Sequence, residues 1–231
     1  MKITKPFVVA TFLVVTLTGC ASFDSVTSDI ANELNGSSNS QRSTSTTETP
    51  ADGATPELTE GPYYLSGNFT RKDITAGQAG LAQEITFLVT DSNGKPITDA
   101  KVDIWHANAL GEYSGVEGNT DTFLRGTQTT NSEGYVTFKT IFAGWYGGRT
   151  VHYHVKVWRA GQQVLTTQYF VTKEDADKVY ATFAPYTSKG LQDTTNEQDQ
   201  IASSAGTALS GLTFKNEFAA DKVLSTANIV L

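Results

Sequence analysis

Two histidines that stand two residues apart are the side chains of this sequence best suited to bind a metal. His152 and His154 lie in a run rich in β-branched residues, so in a strand both imidazoles leave the same face. Tyr146 and Arg149 lie just upstream on a glycine-rich turn, and a second phenol, Tyr113, lies in a similar turn. Because the pleat of a strand fixes the separation of the imidazoles, the pair forms half of a transition-metal site.

The two phenols indicate which metal such a site would take. A free phenol has a pKa near ~10 and is a poor ligand at neutral pH, but a trivalent cation stabilises its anion. Each phenolate in turn lowers the charge and the reduction potential of the metal. Two tyrosines and two histidines therefore favour ferric iron, Fe(III). A zinc or copper site on the same residues is the weaker alternative, because two phenolates suit those ions poorly.

Taken one at a time, these side chains have ordinary alternatives. A His-X-His pair on a strand is often a surface pair, and Tyr113 or Tyr146 alone would more often be a core or turn aromatic. Arg149 before a strand is usually solvated or ion-paired. The third histidine, His106, is expected to pack or to support a ligand. The order and spacing of the whole set favour a site.

The elements that position these residues are predicted to be strands. Short alternating runs separated by turns rich in Gly, Asn and Asp are typical of an antiparallel β-sandwich of the prealbumin or immunoglobulin type, with long loops. The fold class is therefore all-β. Strands are predicted at residues 82–90, 100–106, 123–130, 135–142, 150–159 and 163–171, with late strands at 208–214 and 222–231. One short helix is predicted at 173–182.

The beginning of the chain is predicted to be a lipoprotein signal peptide, residues 1–19. Two lysines precede an apolar run at residues 7–17 that is too short to span a bilayer. The run ends in Leu-Thr-Gly-Cys at residues 17–20, which resembles the lipobox of bacterial lipoproteins, whose cysteine is acylated. An ordinary signal peptide with a chance cysteine is the alternative. Cys20 is the only cysteine, which excludes disulfides within the chain and thiolate metal sites.

Residues 20–54 are dense in Ser and Thr and are predicted to form a disordered tether, followed by one folded domain over residues 55–231. Without residues 1–19 the chain has 15 basic against 24 acidic residues, a net charge of −9. This balance disfavours nucleic acid and anionic membrane surfaces as partners. Membrane contact is therefore expected only through the anchor at Cys20. Cys20 is followed by Ala21 and not by an aspartate, which by resemblance to lipoprotein sorting favours the outer membrane of the cell envelope, on its periplasmic or surface face.

The order of the motifs resembles the intradiol ring-cleavage dioxygenases, the family of catechol and protocatechuate dioxygenases. The resemblance covers roughly residues 55–171, with a looser echo over residues 186–199. It rests on the segments 59–64, 71–74, 102–108, 111–115, 123–126, 144–146, 152–154 and 166–170. It implies a β-sandwich core and a non-haem Fe(III). By motif, the iron ligands would be Tyr113, Tyr146, His152 and His154. The family's active-site arginine and glutamine would be Arg149 and Gln168.

The resemblance also implies a reaction, in which O2 cleaves a catechol between its two hydroxyl-bearing carbons to a muconate-type dicarboxylate. Tyr146 would take a substrate proton, Arg149 would stabilise negative charge on the ring and Gln168 would hold a ring oxygen. The short spacing from Tyr146 to Arg149 resembles a secreted subgroup of the family. The natural catechol stays open, and so does the oligomeric state, for which a homodimer is one option. The competing class is an envelope-anchored β-sandwich that binds a ligand without catalysis.

The lipobox predicts that the protein fractionates with envelope membranes through acylated Cys20. The Cys20→Ala variant is expected to appear as a soluble or an unprocessed form, because the acylated side chain is lost. Ultracentrifugation of lysed cells with immunodetection measures this, and mass spectrometry reports whether residues 1–19 are retained. A processed variant that sediments to the same extent as the wild type would contradict the anchor.

Overall fold

Two four-stranded β-sheets face each other in the computed structural model, which describes residues 53–116 and 118–231. The predicted signal peptide, Cys20 and the predicted tether up to residue 52 lie outside the described residues. The strands are β1 (Ala82–Thr90), β2 (Lys101–Trp105), β3 (Arg125–Thr129), β4 (Tyr135–Ile141), β5 (His152–Arg159), β6 (Gln162–Phe170), β7 (Lys215–Phe218) and β8 (Lys222–Val230). One sheet has the order β4-β1-β8-β7 and the other the order β3-β2-β5-β6. The predicted all-β sandwich is confirmed.

Alternation of side chains along the strands builds the core between the sheets. The core receives Ile85, Phe87 and Val89 from β1, and Tyr153, Val155 and Val157 from β5. The intervening residues of β5, from His152 to Lys156, leave the opposite face of that sheet. They are buried as well. The outer face of this sheet is therefore covered, and its covering encloses the histidine pair.

The helical segments lie between β6 and β7 in the chain. Helix α1 (Lys173–Thr182) has the predicted bounds and is capped by Thr172, whose Oγ1 accepts a hydrogen bond from Asp175 N. The prediction of a single helix is wrong, because a second one, α2 (Gln200–Ser204), follows the capping residue Asp199. Among residues 53–116 and 118–231, no helix is long and apolar enough to cross a membrane.

The late strand predicted at 208–214 is also wrong. A 3₁₀-helix occupies Gly206–Leu212, and the strand β7 begins only at Lys215. The apolar residues Ala208, Leu209 and Leu212 have a helical spacing, and residue-to-residue alternation is absent from this segment.

Strand β8 differs from the predicted antiparallel arrangement. It pairs antiparallel with β7 but parallel with β1, so this sheet is mixed. Parallel neighbours need a long crossover connection, and β8 enters the sheet only after a long excursion through the helices. The sequence pattern of a strand does not record the direction of its neighbour.

A segment that we call the N-terminal strap, residues 55–71, covers the outer face of the sheet that carries β5. At one end Leu58 N donates to Thr166 O of β6 at 2.9 Å, and at the other Arg71 N donates to Thr127 O of β3 at 3.2 Å. The strap therefore crosses from one edge strand to the other, over β5 and β2. Tyr64 packs its ring on Trp105, with 4.9 Å between centroids. The histidine pair thus lies between a sheet and a strap.

Candidate active site

The side chains of His152 and His154 lie side by side on the outer face of β5. Their ring centroids are 5.0 Å apart, and only 3 % and 1 % of these residues are exposed. Strand β5 is a central strand between β2 and β6, and core residues hold its opposite face. The pleat of a well-packed strand thus sets the position of both imidazoles before any metal binds.

Two phenols converge on the histidine pair. The hydroxyl of Tyr113 lies 3.2 Å from His152 Nε2 and 3.1 Å from His154 Nε2. The hydroxyl of Tyr146 lies 3.2 Å from His152 Nε2. Donor atoms that each lie about 2 Å from one ion are themselves about 3 Å apart, so these distances suit four ligands of a common ion. We call these four residues the ligand cluster.

A backbone carbonyl sets the tautomer of His152. Its Nδ1 lies 2.6 Å from Thr150 O, and because a carbonyl only accepts, Nδ1 carries the proton. The lone pair of Nε2 therefore points at the phenols, as in metal sites where a hydrogen bond orients the imidazole. Burial, reinforced by the charge of Arg149, lowers the pKa of His152 to about 3. The imidazole is neutral at physiological pH, which is the form that binds metals.

A different contact orients His154. Its ring stacks on the indole of Trp105, with 4.8 Å between centroids and 8° between planes. The strap approaches the ring too, since a Cβ on Gly61 would lie 3.2 Å from His154 Cε1. Within the described part of the chain, His154 Nδ1 has no hydrogen-bond partner. Burial, followed by the influence of His152, lowers the pKa of His154 well below its usual value.

The environment of the phenols suits a cation. Burial raises the pKa of Tyr113, and the neighbouring Tyr146 adds to that effect. Burial also raises the pKa of Tyr146, although the charge of Arg149 opposes the rise. Both phenols are thus neutral until a multivalent cation binds, which would stabilise their anions. Among the described residues, no group of three or more His, Cys, Asp and Glu side chains could hold a metal. The donors that meet here are two imidazoles and two phenols, a set that suits a hard trivalent ion.

A tight turn brings Arg149 to the ligand cluster. Arg149 N donates to Tyr146 O at 3.1 Å, and the intervening Gly148 has φ +78°, a conformation that favours glycine. The guanidinium Nη1 lies 3.5 Å from Tyr146 Oη and 3.4 Å from His152 Nε2. Its Nη2 donates to Gln168 Oε1 at 2.6 Å. The six residues singled out in the sequence therefore meet at one place.

Two neighbours of the site, Asp199 and Trp105, have roles that the sequence did not indicate. Asp199 accepts a hydrogen bond from Arg149 Nε at 2.7 Å, although 49 residues separate them in the chain. Burial alone would raise the pKa of Asp199, but the hydrogen bonds from Arg149 and Thr150 outweigh it and lower that pKa. Trp105 is the register partner of His154, so a correct pairing of β2 with β5 would have found it.

His106 has the packing role expected of it. Its Nε2 lies 2.7 Å from Thr140 Oγ1 and its Nδ1 lies 2.9 Å from Ala107 O. Burial lowers its pKa to about 4, so the imidazole is neutral. Its ring packs on Tyr153, on the core side of β5.

Comparison with known proteins identifies the family. Residues 59–215 match the family model Dioxygenase_C, described as dioxygenase, and this segment contains the whole ligand cluster. The chain belongs to the intradiol ring-cleavage dioxygenase family.

Named intradiol relatives are longer than this chain. The catechol 1,2-dioxygenase of Acinetobacter guillouiae is 34% identical over 165 residues, which cover 60% of this chain and 53% of that protein. The catechol 1,2-dioxygenase of a Pseudomonas strain is 32% identical over 145 residues, which cover 52% of this chain and 48% of that protein. The chain therefore spans about half the length of the curated relatives it matches.

Some solved intradiol structures have a similar extent. An intradiol ring-cleavage dioxygenase from Tetranychus urticae has a TM-score of 0.72 at 28% identity, over 78% of this chain and 94% of that one. The dioxygenase domain of a dioxygenase carbohydrate-binding protein fusion from Streptomyces sp. SirexAA-E has a TM-score of 0.57 at 28% identity, over 77% and 97% of the two chains. Almost the whole of each of these chains thus has a counterpart here.

The approach of the strap to His154 yields a prediction with a matched control. In Gly61→Ala the new methyl group would press on the imidazole, and the φ of +71° adds backbone strain. Gly77 has a similar φ of +77° but nothing within 4 Å, so Gly77→Ala carries the strain alone. Both variants are expected to lose about 1–2 kcal/mol of stability, but only Gly61→Ala is expected to bind less metal. Thermal unfolding and metal analysis measure both quantities, and equal metal content in the two variants would contradict this role of Gly61.

Proposed function

We propose that this chain is a non-haem Fe(III)-dependent dioxygenase that cleaves a catechol-type ring with O2 to a muconate-type dicarboxylate. The observation that carries the proposal is the convergence of the ligand cluster, with donor atoms 3.1–3.2 Å apart in a buried site. Family membership supports the reaction class. When bound by Tyr113, Tyr146, His152 and His154, ferric iron would supply a centre that accepts the catechol oxygens and draws electron density from the ring.

Tyr146 is the residue that we expect to take a proton from the substrate. It is the more exposed of the two phenols, and it lies on a turn, whereas Tyr113 is buried against Tyr63 with 4.7 Å between ring centroids. A phenolate oxygen at Tyr146 Oη could accept the proton of a catechol hydroxyl as the substrate enters. The neighbouring guanidinium of Arg149 favours the phenolate form, as its effect on the pKa of Tyr146 indicates.

Arg149 and Gln168 act as one unit in this proposal. Gln168 Nε2 donates to Thr59 O of the strap at 2.8 Å, and its Oε1 accepts from Arg149. The amide is thereby fixed, and its second hydrogen remains available for a ring oxygen. Arg149 Nη1 faces the ligand cluster, where it would stabilise negative charge that grows on the ring.

The competing function, ligand binding without catalysis, leaves the burial of the ligand cluster without a purpose. Buried polar groups cost free energy unless they are compensated. A surface-binding sandwich needs no pair of phenols aimed at a pair of imidazoles inside the protein. We therefore favour catalysis over ligand binding as the function of the site.

We also propose that the enzyme is anchored to the cell envelope through Cys20. The support is the segment 17–20 and the Ser- and Thr-rich stretch that follows it. A catechol dioxygenase at this location would act on catechols that reach the envelope. The substrate class is taken from the relatives, several of which are named catechol or chlorocatechol 1,2-dioxygenases.

The first prediction of this proposal concerns the metal. The purified protein is expected to hold about one ferric ion per folded chain and to be red to purple, because tyrosinate-to-Fe(III) charge transfer absorbs visible light. Tyr113→Phe is expected to lose iron and colour, whereas Tyr135→Phe, on the half-buried face of β4, is expected to keep both. Metal analysis and visible spectra measure this. Colourless wild-type protein with stoichiometric zinc, after growth with ample iron, would contradict the proposal.

The second prediction concerns the reaction. With isotopically labelled O2, both oxygen atoms are expected in a muconate-type product, and substituted catechols are expected to be accepted. Only two residues link Tyr146 to Arg149, so little backbone lies at that side of the site and we expect room there for ring substituents. Mass spectrometry of products across a panel of catechols measures this. Coloured, iron-loaded protein that converts none of them, or that gives only an extradiol semialdehyde, would return ligand binding to first place.

The third prediction separates Arg149 from the ligands. Arg149→Ala removes the charge that faces the ring and no ligand, so turnover is expected to fall by roughly 2 to 4 kcal/mol in activation free energy. Iron content and the visible band are expected to be retained. Steady-state kinetics with metal analysis measures both. Loss of iron in parallel with turnover would show that Arg149 holds the ligand cluster together instead.

A further inference from the structure

The carboxylate of Asp199 is buried and accepts four hydrogen bonds. Its side chain is 0 % exposed. Oδ1 accepts from Ile201 N at 2.8 Å and from Ala202 N at 3.1 Å, which caps helix α2. Oδ2 accepts from Arg149 Nε at 2.7 Å and from Thr150 N at 2.9 Å. One oxygen thus serves the helix and the other serves the segment that carries Arg149.

The two residues before Arg149 place no side chain against the guanidinium. Gly147 and Gly148 precede it, and a Cβ at Gly148 would meet nothing within 4 Å. The Arg149 side chain is 16 % exposed, so part of it reaches solvent. An arginine side chain in such a place has many accessible rotamers, and its orientation depends on its partners. Those partners are Asp199 at Nε and Gln168 at Nη2.

With these two partners in place, Nη1 is the edge that faces the ligand cluster. It lies 3.4 Å from His152 Nε2 and 3.5 Å from Tyr146 Oη. A ferric ion bound at the ligand cluster would repel the guanidinium of Arg149. A negative charge on the far side of the guanidinium would oppose this repulsion and hold Arg149 in place. Among the described residues, Asp199 is the carboxylate that forms an ion pair with Arg149.

The same carboxylate steadies the backbone around His152. Thr150 N donates to Asp199, Thr150 Oγ1 donates to Asn196 Oδ1 at 2.7 Å, and Thr150 O accepts from His152 Nδ1. The loop before α2 therefore holds Thr150, whose carbonyl oxygen orients the imidazole of His152. Because Asn196 and the strand also hold Thr150, we expect this second effect of Asp199 to be the smaller one.

We infer that Asp199 is a positioning residue of the active site, which holds the guanidinium of Arg149 against the ligand cluster. The inference rests on the proposed function for its kinetic consequence, since only a reaction at the cluster needs Arg149 there. The hydrogen bonds that Asp199 accepts come from Arg149, Thr150, Ile201 and Ala202, and none of these donors is a ligand atom of the cluster. Its contribution passes through Arg149.

The test is a double-mutant cycle between Asp199 and Arg149. Asp199→Ala is expected to lower kcat by about tenfold or more with little change in KM or iron content. In the Arg149→Ala background the same substitution is expected to cost almost nothing, because the side chain it positions is gone. An equal fold-loss in both backgrounds would overturn the inference. Loss of the visible band in Asp199→Ala would assign its effect to His152 and would also overturn it.

Thr172→Ala is the matched control for the lost helix cap. Thr172 caps α1 through Oγ1, as Asp199 caps α2, but it takes no part in the site. The midpoint temperature of thermal unfolding is expected to fall in both variants, whereas kcat is expected to fall only in Asp199→Ala. If Thr172→Ala slows turnover as much, the loss in Asp199→Ala reflects general destabilisation and the inference fails.

A second readout needs no turnover, so it keeps the inference separate from the proposed function. In ¹⁵N NMR spectra of metal-free protein, where no paramagnetic ferric ion broadens the signal, the Nε–Hε group of Arg149 is expected to exchange slowly with water in the wild type and rapidly in Asp199→Ala. Rapid exchange in the wild type would overturn the inference even if the enzyme is active. Slow exchange in a wild type without iron or activity would uphold the contact and place the failure in the proposed function.

Discussion

The free-energy cost of removing two phenols and two imidazoles from water is the constraint on which the active site depends. Polar groups transferred to a protein interior without adequate partners cost several kcal/mol. Here Tyr113, His152 and His154 are buried, and their hydroxyl and Nε2 atoms have mainly one another as partners. Burial holds the phenols neutral and the imidazoles neutral. A trivalent cation at their centre would give all four side chains a partner, so the buried cluster is expected to bind such an ion strongly.

The fold supplies the rigidity that such burial requires. Strand β5 is packed on both faces, with Tyr153 and Val155 in the core and the histidines beneath the strap. The strap contributes more than cover, because Thr59 O holds the amide of Gln168 and Gly61 lies against His154. The loop before α2 closes the other side and contributes Asp199. The strap and the loop before α2, which are distant in the chain, thus meet around the start of β5.

Much of this arrangement could be predicted from the sequence, and the reasons for the failures are physical. The alternation of His152 and His154 in a β-branched run placed them on one face, and the glycines beside Tyr146 indicated a tight turn. Helix α1 was predictable from its cap at Thr172 and its apolar spacing. The parallel pairing of β8 was not, because strand direction leaves no mark in the local pattern. The role of Asp199 was missed because its contact with Arg149 joins segments that are distant in the chain, and the local pattern around Asp199 indicates at most a helix cap.

The central claim is that both phenols are ligands of a ferric ion, and resonance Raman spectroscopy within the visible band tests it most directly. Excitation of a tyrosinate-to-iron transition enhances the vibrations of the phenolates that take part in it. We predict enhanced tyrosinate modes in the wild type, with one set lost in Tyr146→Phe and a different set lost in any Tyr113→Phe protein that retains iron. Tyrosinate modes that are absent from the iron-loaded wild type, or unchanged in both variants, would contradict the account.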